Sequence, residues 1–330
     1  MAKRKLEGVQ RVSCLISGLA LLVLLQFPAS AFPQELKKVR LAYSAFSVAF
    51  LSVFIAQDAG IFKKHGLGVE LIQMAGPVPI AALVAGEVDY LTGFTTGLVA
   101  AAQGVPLKGI MVTLRKPPFY LISESAIQKA DDLTGKRIGV DRIGSLQHLV
   151  ARLLLKIKAV NPERVTFTQT GSVSNTVMSL GQGAVSAAIL SGPHNVIMTQ
   201  KGFRQIGAAE ELPMHFPTSG LVVHEARLRS DPAKIKSVIR VMLESMAFSQ
   251  RERSWGINYV KGKWKLEPKI AEEVYEHWLS SLTTDGKISV KDVQEYFDLA
   301  YAYRQINVPV QVASLVDYTL LEQVLKETAR

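Results

Sequence analysis

The sequence predicts an α/β protein of two doubly wound lobes, and three observations predict it. The first is Lys136–Leu155, KRIGVDRIGSLQHLVARLLL, which starts as a strand and restarts as a helix. Ile138 and Val140 are apolar and β-compatible, the chain turns through Asp141–Gly144, and Ser145 stands where an N-cap belongs. Leu146, Leu149, Val150, Leu153, Leu154 and Ile157 then recur at helical spacing. Such a turn leaves backbone N–H groups at the positive end of a helix dipole, which suits an anion or a polar ligand atom. The second observation is the alternation of short strands and helices through glycine-bearing loops. The third is an internal echo: Gly86-Glu87-Val88-Asp89-Tyr90-Leu91 and Gly183-Ala184-Val185-Ser186-Ala187-Ala188 both set a glycine and a valine between a short helix and a strand.

In chain order, Val39–Tyr43 reads as the first strand, Ser44–Ser47 as a polar loop and Ala49–Ala59 as a helix ending at Gly60. Leu67–Gln73 is the next strand, Pro79–Ala85 a short helix, and Val88–Thr92 a strand that turns into the helix Gly97–Ala102. Strands follow at Leu107–Thr113 and Phe119–Ser123, so a parallel sheet is expected. The second unit opens near Lys129 and carries strands at Val165–Gln169 and Val185–Leu190, with helices at Thr176–Leu180 and Asn195–Gln200. From Leu221 the texture becomes helical. Pro232–Phe248 is entered at Ser230-Asp231-Pro232, and Pro268–Leu282, Val290–Tyr301 and Tyr318–Lys326 follow. The expected division is lobe I from 32–123 and 221–330, and lobe II from 124–220. Trp255, Trp264 and Trp278 read as core or rim packing. Two lobes of one design aim strand C-termini and helix N-termini at a common crevice, where ligands of open α/β sheets bind.

Residues 1–31 read as a secretory signal peptide. Lys3, Arg4, Lys5 and Arg11 precede an apolar run from Val12 to Leu25, and Ala29-Ser30-Ala31 gives a small-x-small cleavage pattern near Ala31. The single cysteine, Cys14, lies inside that run. The mature chain therefore has no disulfide and no thiol chemistry, and it keeps a net charge of +7 spread along its length. That spread reads as a solvated surface rather than a nucleic-acid footprint. No later stretch is long and apolar enough to span a membrane. The chain 32–330 is expected to be exported, with cores large enough for two lobes.

The order of several motifs resembles the periplasmic solute-binding proteins of the nitrate/sulfonate/taurine and thiamine-precursor import family, the SsuA/THI5-like, NMT1-like group. The resemblance rests on Ala56-Gln57-Asp58-Ala59-Gly60-Ile61-Phe62-Lys63-Lys64-His65-Gly66-Leu67, on Gly86-Glu87-Val88-Asp89, and on Asp132-Leu133-Thr134-Gly135-Lys136-Arg137-Ile138-Gly139-Val140 followed by Gly144-Ser145. It implies a type II periplasmic binding protein: two α/β lobes, a ligand cleft between them and a helical C-terminal tail. It also implies a monomer that delivers its solute to an ABC permease and ATPase, with no cofactor, no metal and no nucleic acid. Carried over by position, the ligand-facing residues are Ser44 and Ser47, Gly76, Thr95 and Thr96, Arg142, Gly144 and Ser145, Ser172 and Ser174, and Ser191 and His194. Tyr43, Phe46 and Phe94 would cover carbon. Tyr43 and Phe46 also read as core aromatics, Arg142 as a surface or hinge ion-pair residue, and His148 as structural.

A small polar or anionic organic solute fits these loops best, with a sulfonate, taurine-like or nitrate-like anion on Arg142 and the helix N-terminus. A pyrimidine stacked on Phe46 or Phe94 is the alternative ligand, and presentation to a membrane sensor the alternative role. An enzyme is disfavoured. The chain carries no GxSxG, HExxH, P-loop or GxGxxG in strand–helix context, and the thiamine-pyrimidine synthases of this fold rely on a cysteine motif that it lacks. His65, His148, His194, His215, His224 and His277 are scattered without metal-ligand spacing.

Overall fold

β1 (Lys37–Tyr43) buries Val39, Leu41 and Ala42 and leads through a 3-10 turn, Val48–Phe50, into helices α1 (Leu51–Asp58) and α2 (Ile61–Lys64). The computed structural model describes residues 35–304 and 306–328, and the expected signal peptide, 1–31, lies outside them. β2 (Leu67–Gln73), α3 (Val78–Val84), β3 (Tyr90–Gly93), α4 (Phe94–Ala102) and β4 (Leu107–Val112) follow. The chain then crosses to a second sheet with β5 (Phe119–Ser123), β6 (Arg137–Val140), α5 (Leu146–Ile157), β7 (Thr166–Gln169), α6 (Val173–Gly181), β8 (Ala187–Ser191), α7 (His194–Gln200) and β9 (Arg204–Ala208). β10 (Ser219–His224) returns to the first sheet. It is followed by α8 (Ala226–Ser230), α9 (Pro232–Arg251), α10 (Arg253–Trp264), α11 (Pro268–Ser280), α12 (Val290–Ala302) and α13 (Thr319–Thr328).

The strand orders are β2-β1-β3-β10-β4 and β7-β6-β8-β5-β9. β1 runs parallel to β3 with Leu41 beside Tyr90, and β6 runs parallel to β7 and β8 with Gly139 beside Thr168 and Ala188. β10 is antiparallel to both its neighbours, as β5 is in the second sheet. Both sheets are therefore mixed, not purely parallel as the sequence predicts. In each, the reversed strand lies next to a crossing of the chain between sheets. Phe119–Ser123, assigned to lobe I from sequence, pairs in the second sheet. Its apolar run, buried along its whole length, fits a central strand of either sheet, and only long-range pairing selects one. The short edge strand β9 and the helix α10 carry too weak an apolar period to be read from sequence.

The internal echo has a structural counterpart. β3 and β8, which follow Gly86 and Gly183, hold the same third place in the two strand orders. Both glycines take left-handed φ, +75° and +71°, where the chain reverses from helix to strand.

Apolar burial fixes the lobes, and Asp89 fastens the tail to the first sheet. Its buried carboxylate accepts the Arg40 backbone N–H (2.8 Å) and pairs with Arg227 of α8 (2.6 Å) and Lys234 of α9 (3.5 Å). Removing one side of a buried charge cluster strands the others, at a cost of about 3–5 kcal/mol. Asp89→Ala is expected to lower the denaturant midpoint by that order, and an unchanged midpoint would show that the cluster is solvated rather than structural.

Candidate ligand-binding site

The parallel strands of both sheets end at one cavity of ≈280 Å³. The first sheet contributes Ser44 and Ser47 after β1, Gly76 and Pro77 after β2, and Gly93, Thr95 and Thr96 at the start of α4. The second contributes Asp141, Arg142, Gly144, Ser145 and Gln147 after β6, Gln169 at the end of β7 with Gly171 beyond it, and Ser191 at the end of β8. Ala49, Phe50, Leu91, Phe119, Leu146, Val173 and Tyr296 supply most of the remaining wall, which is apolar. The two sides touch at the lip, where the Val48 N–H donates to the Gly192 carbonyl (3.2 Å).

The loop after β6 is held in one conformation by side chains. The Asp141 N–H donates to Gln147 Oε1 (3.1 Å), Arg142 N–H to Asp141 Oδ1 (2.7 Å), Ile143 N–H to Gln169 Oε1 (3.1 Å) and Gly144 N–H to His148 Nδ1 (3.1 Å). Ser145 caps α5 by accepting the His148 N–H, and its hydroxyl donates to Asp141 Oδ1 (2.5 Å). Gly144 turns the chain with a φ of +82°. Four consecutive N–H groups are thus satisfied within the protein, and what the loop offers the cavity is side chains. Arg142 is exposed, and its guanidinium has no hydrogen bond or ion pair among the described residues. Burial raises the Asp141 pKa, against the opposing pull of the Ser145 hydroxyl, the Arg142 N–H and the guanidinium.

Nine of the residues expected from sequence line the cavity: Ser44, Ser47, Gly76, Thr95, Thr96, Arg142, Gly144, Ser145 and Ser191. Six do not. Tyr43 packs edge-on to Phe54 (5.1 Å), and Phe46 lies against Trp264 (5.0 Å), away from the cavity. Phe94 is fully buried beneath β4, so close to Gly109 that a Cβ there would meet its ring at 2.5 Å. Ser172 is used as the cap of α6, accepting the Asn175 N–H (3.2 Å), and Ser174 is exposed on that helix. His194 begins α7 outside the wall, where burial lowers its pKa. The aromatic residues that line the cavity are instead Phe50, Phe119 and Tyr296. Tyr296 is 1% exposed, edge-on to Phe216 and Phe297, and reaches the cavity from the C-terminal helices.

A protein-family model described as NMT1/THI5 like matches residues 47–252. The chain belongs to the NMT1/THI5-like family. It is 23% identical over 296 residues to the riboflavin-binding protein RibY of Chloroflexus aurantiacus, covering 81% of this chain and 80% of that one. It is 27% identical over 144 residues to the Saccharomyces cerevisiae 4-amino-5-hydroxymethyl-2-methylpyrimidine phosphate synthase THI13, covering 42% and 41%. Among solved structures it is similar to the alkanesulfonate-binding protein SsuA of Xanthomonas axonopodis pv. citri bound to MOPS. That likeness has a TM-score of 0.74 at 22% identity and covers 86% of this chain and 99% of that one. The two α/β lobes are thus those of the periplasmic binding protein fold. Among the described residues no helix is long and apolar enough to cross a membrane.

His148 makes the loop sensitive to acid. Burial, with Arg152 adding to it, lowers its pKa to about 4, and its Nδ1 accepts the Gly144 N–H only while neutral. The folded pKa lies below the unfolded value of about 6.5, so this stabilisation is complete above pH ~6.5 and is lost as pH falls toward 4. Melting curves of the wild type should therefore fall over that window. His148→Gln, which keeps an acceptor without a titrating ring, should flatten the fall; an equal fall in both would remove His148 as its cause.

Proposed function

We propose that this protein is the extracytoplasmic solute-binding component of an ABC importer. It captures a small organic anion, sulfonate-like in charge and size, between its two lobes and delivers it to a permease. The observation that carries the reading is Arg142: a guanidinium without a partner among the described residues, on a loop whose Asp141–Gly144 N–H groups are all satisfied, lining a cavity with largely apolar walls. A planar donor of this kind binds sulfonate or carboxylate oxygens with two hydrogen bonds. Ser44, Ser47, Thr95, Thr96 and Ser191 surround it with hydroxyls, while Phe50, Phe119 and Tyr296 suit a carbon body. The likeness to an alkanesulfonate-binding protein supports the same class. Export of the chain, residues 32–330, through its expected signal peptide belongs to this reading.

Asp141 favours one second reading. A carboxyl in the same cavity suits an amino-substituted heterocycle such as a pyrimidine, which would donate to the oxygen left free by Ser145 and Arg142.

Two substitutions separate the readings by calorimetry of the mature chain. Arg142→Ala is expected to weaken a short alkanesulfonate by roughly ten- to a hundredfold, the worth of a hydrogen bond to a charged group. Unchanged affinity would remove Arg142 from the site. Asp141→Asn keeps an Oδ1 acceptor for Ser145 and the Arg142 N–H while deleting a charge. Under the anion reading it should tighten the sulfonate; under the heterocycle reading the sulfonate does not bind and the substitution should weaken an aminopyrimidine instead.

A further inference from the structure

The cavity does not end at Arg142. A second hollow of ≈750 Å³ adjoins it and shares six wall residues with it: Gly76, Pro77, Thr96, Val99, Arg142 and Gly144. Its own walls come from the facing sides of α3 and α4 and from the tip of the loop after β6. They are mostly apolar, with Ile80, Ala81, Val84, Val105 and Ile143, and Gln103 is the one polar residue outside the shared boundary. Arg142, at the shared boundary, is the one charged residue of the wall. Val84 and Ile143 are 45% and 48% exposed, large aliphatic side chains left open on opposite sides of the hollow. Ile143 stands between Arg142 and Gly144 with its N–H fixed to Gln169 Oε1 (3.1 Å). The same loop therefore presents a cation toward one hollow and an aliphatic side chain toward the next.

We propose that this hollow is a tail subsite, and that the cognate ligand is an amphipathic anion. Its head lies in the interlobe cavity against Arg142, and an alkyl or aryl chain leaves past Gly76 and Gly144 to lie on Ile80, Val84 and Ile143. The assignment rests on the reading of the cavity as an anion site and extends it to the length of the ligand. Continuity identifies the occupant. A chain attached to a head group at Arg142 can pass through the shared boundary, and a wall that is aliphatic apart from Gln103 beyond that boundary suits carbon better than a polar solute. Gly76 and Gly144, with φ of +65° and +82°, put no side chain into the boundary, and a Cβ at Gly76 would stand in open space.

The test is calorimetry with straight-chain alkanesulfonates from ethane- to octanesulfonate on the mature wild type, Val84→Asn and Ile143→Asn. In the wild type, affinity should rise with chain length by roughly two- to fourfold per methylene once the chain passes the boundary, as expected for apolar groups leaving water. Each variant should lose most of that increment while binding ethanesulfonate as the wild type does, which also shows that it is folded. Affinity independent of chain length, or an increment undiminished in both variants, would overturn the tail subsite and leave the anion site standing. Failure of every sulfonate to bind would overturn the anion site and the subsite together.

Discussion

The structure depends on one constraint: the four N–H groups of Asp141–Gly144 must find acceptors in a turn that no sheet or helix supplies. They find them in Gln147, Asp141, Gln169 and His148, at 2.7–3.1 Å. A loop so held gives up little entropy when a ligand arrives, because its ordering was completed on folding. It also fixes what faces the cavity. With those four backbone donors consumed internally, what the loop presents to the cavity is the Arg142 side chain, beside hydroxyls and apolar walls.

The rest of the fold brings those walls together. Each sheet sends its parallel strands to the same cavity, and each accepts one reversed strand beside a crossing of the chain, β10 in the first sheet and β5 in the second. Two crossings make a pair of tethers between the lobes rather than one, which restricts how they move relative to each other. The C-terminal helices complete the arrangement. Asp89 fastens α8 and α9 to the first sheet, and α12 lays Tyr296 against the cavity.

What could be read from the sequence was local. The Ser145 cap, the turn at Gly144, the paired glycine–valine reversals before β3 and β8, and the serine and threonine loops after the strands all announce themselves within a few residues, and the structure places them as expected. What could not be read was long-range. Gln169 meets Ile143 across two strands, and Tyr296 enters the cavity from a helix more than a lobe away in the chain. Phe119 belongs to a strand whose sheet is chosen only by pairing. The aromatics show the converse: Tyr43 and Phe94 neighbour cavity-lining loops in sequence, yet the alternation of a strand and the turn of a helix point them into packing, and Phe46, in the loop itself, lies against Trp264. Phe94 carried one usable signal, a glycine at 109 with no turn to explain it, which marks where a large side chain presses on a strand.

The central claim is that an anion is held between the lobes by Arg142, with groups of the first lobe closing on it. The most direct measurement is a crystal structure of the mature protein with bromoethanesulfonate, read from the anomalous signal of bromine. A single strong peak is expected inside the interlobe cavity, with the sulfonate oxygens on the Arg142 guanidinium and within reach of Ser44 or Ser47. A peak elsewhere on the molecule, or an unchanged empty cavity at saturating ligand, would contradict it.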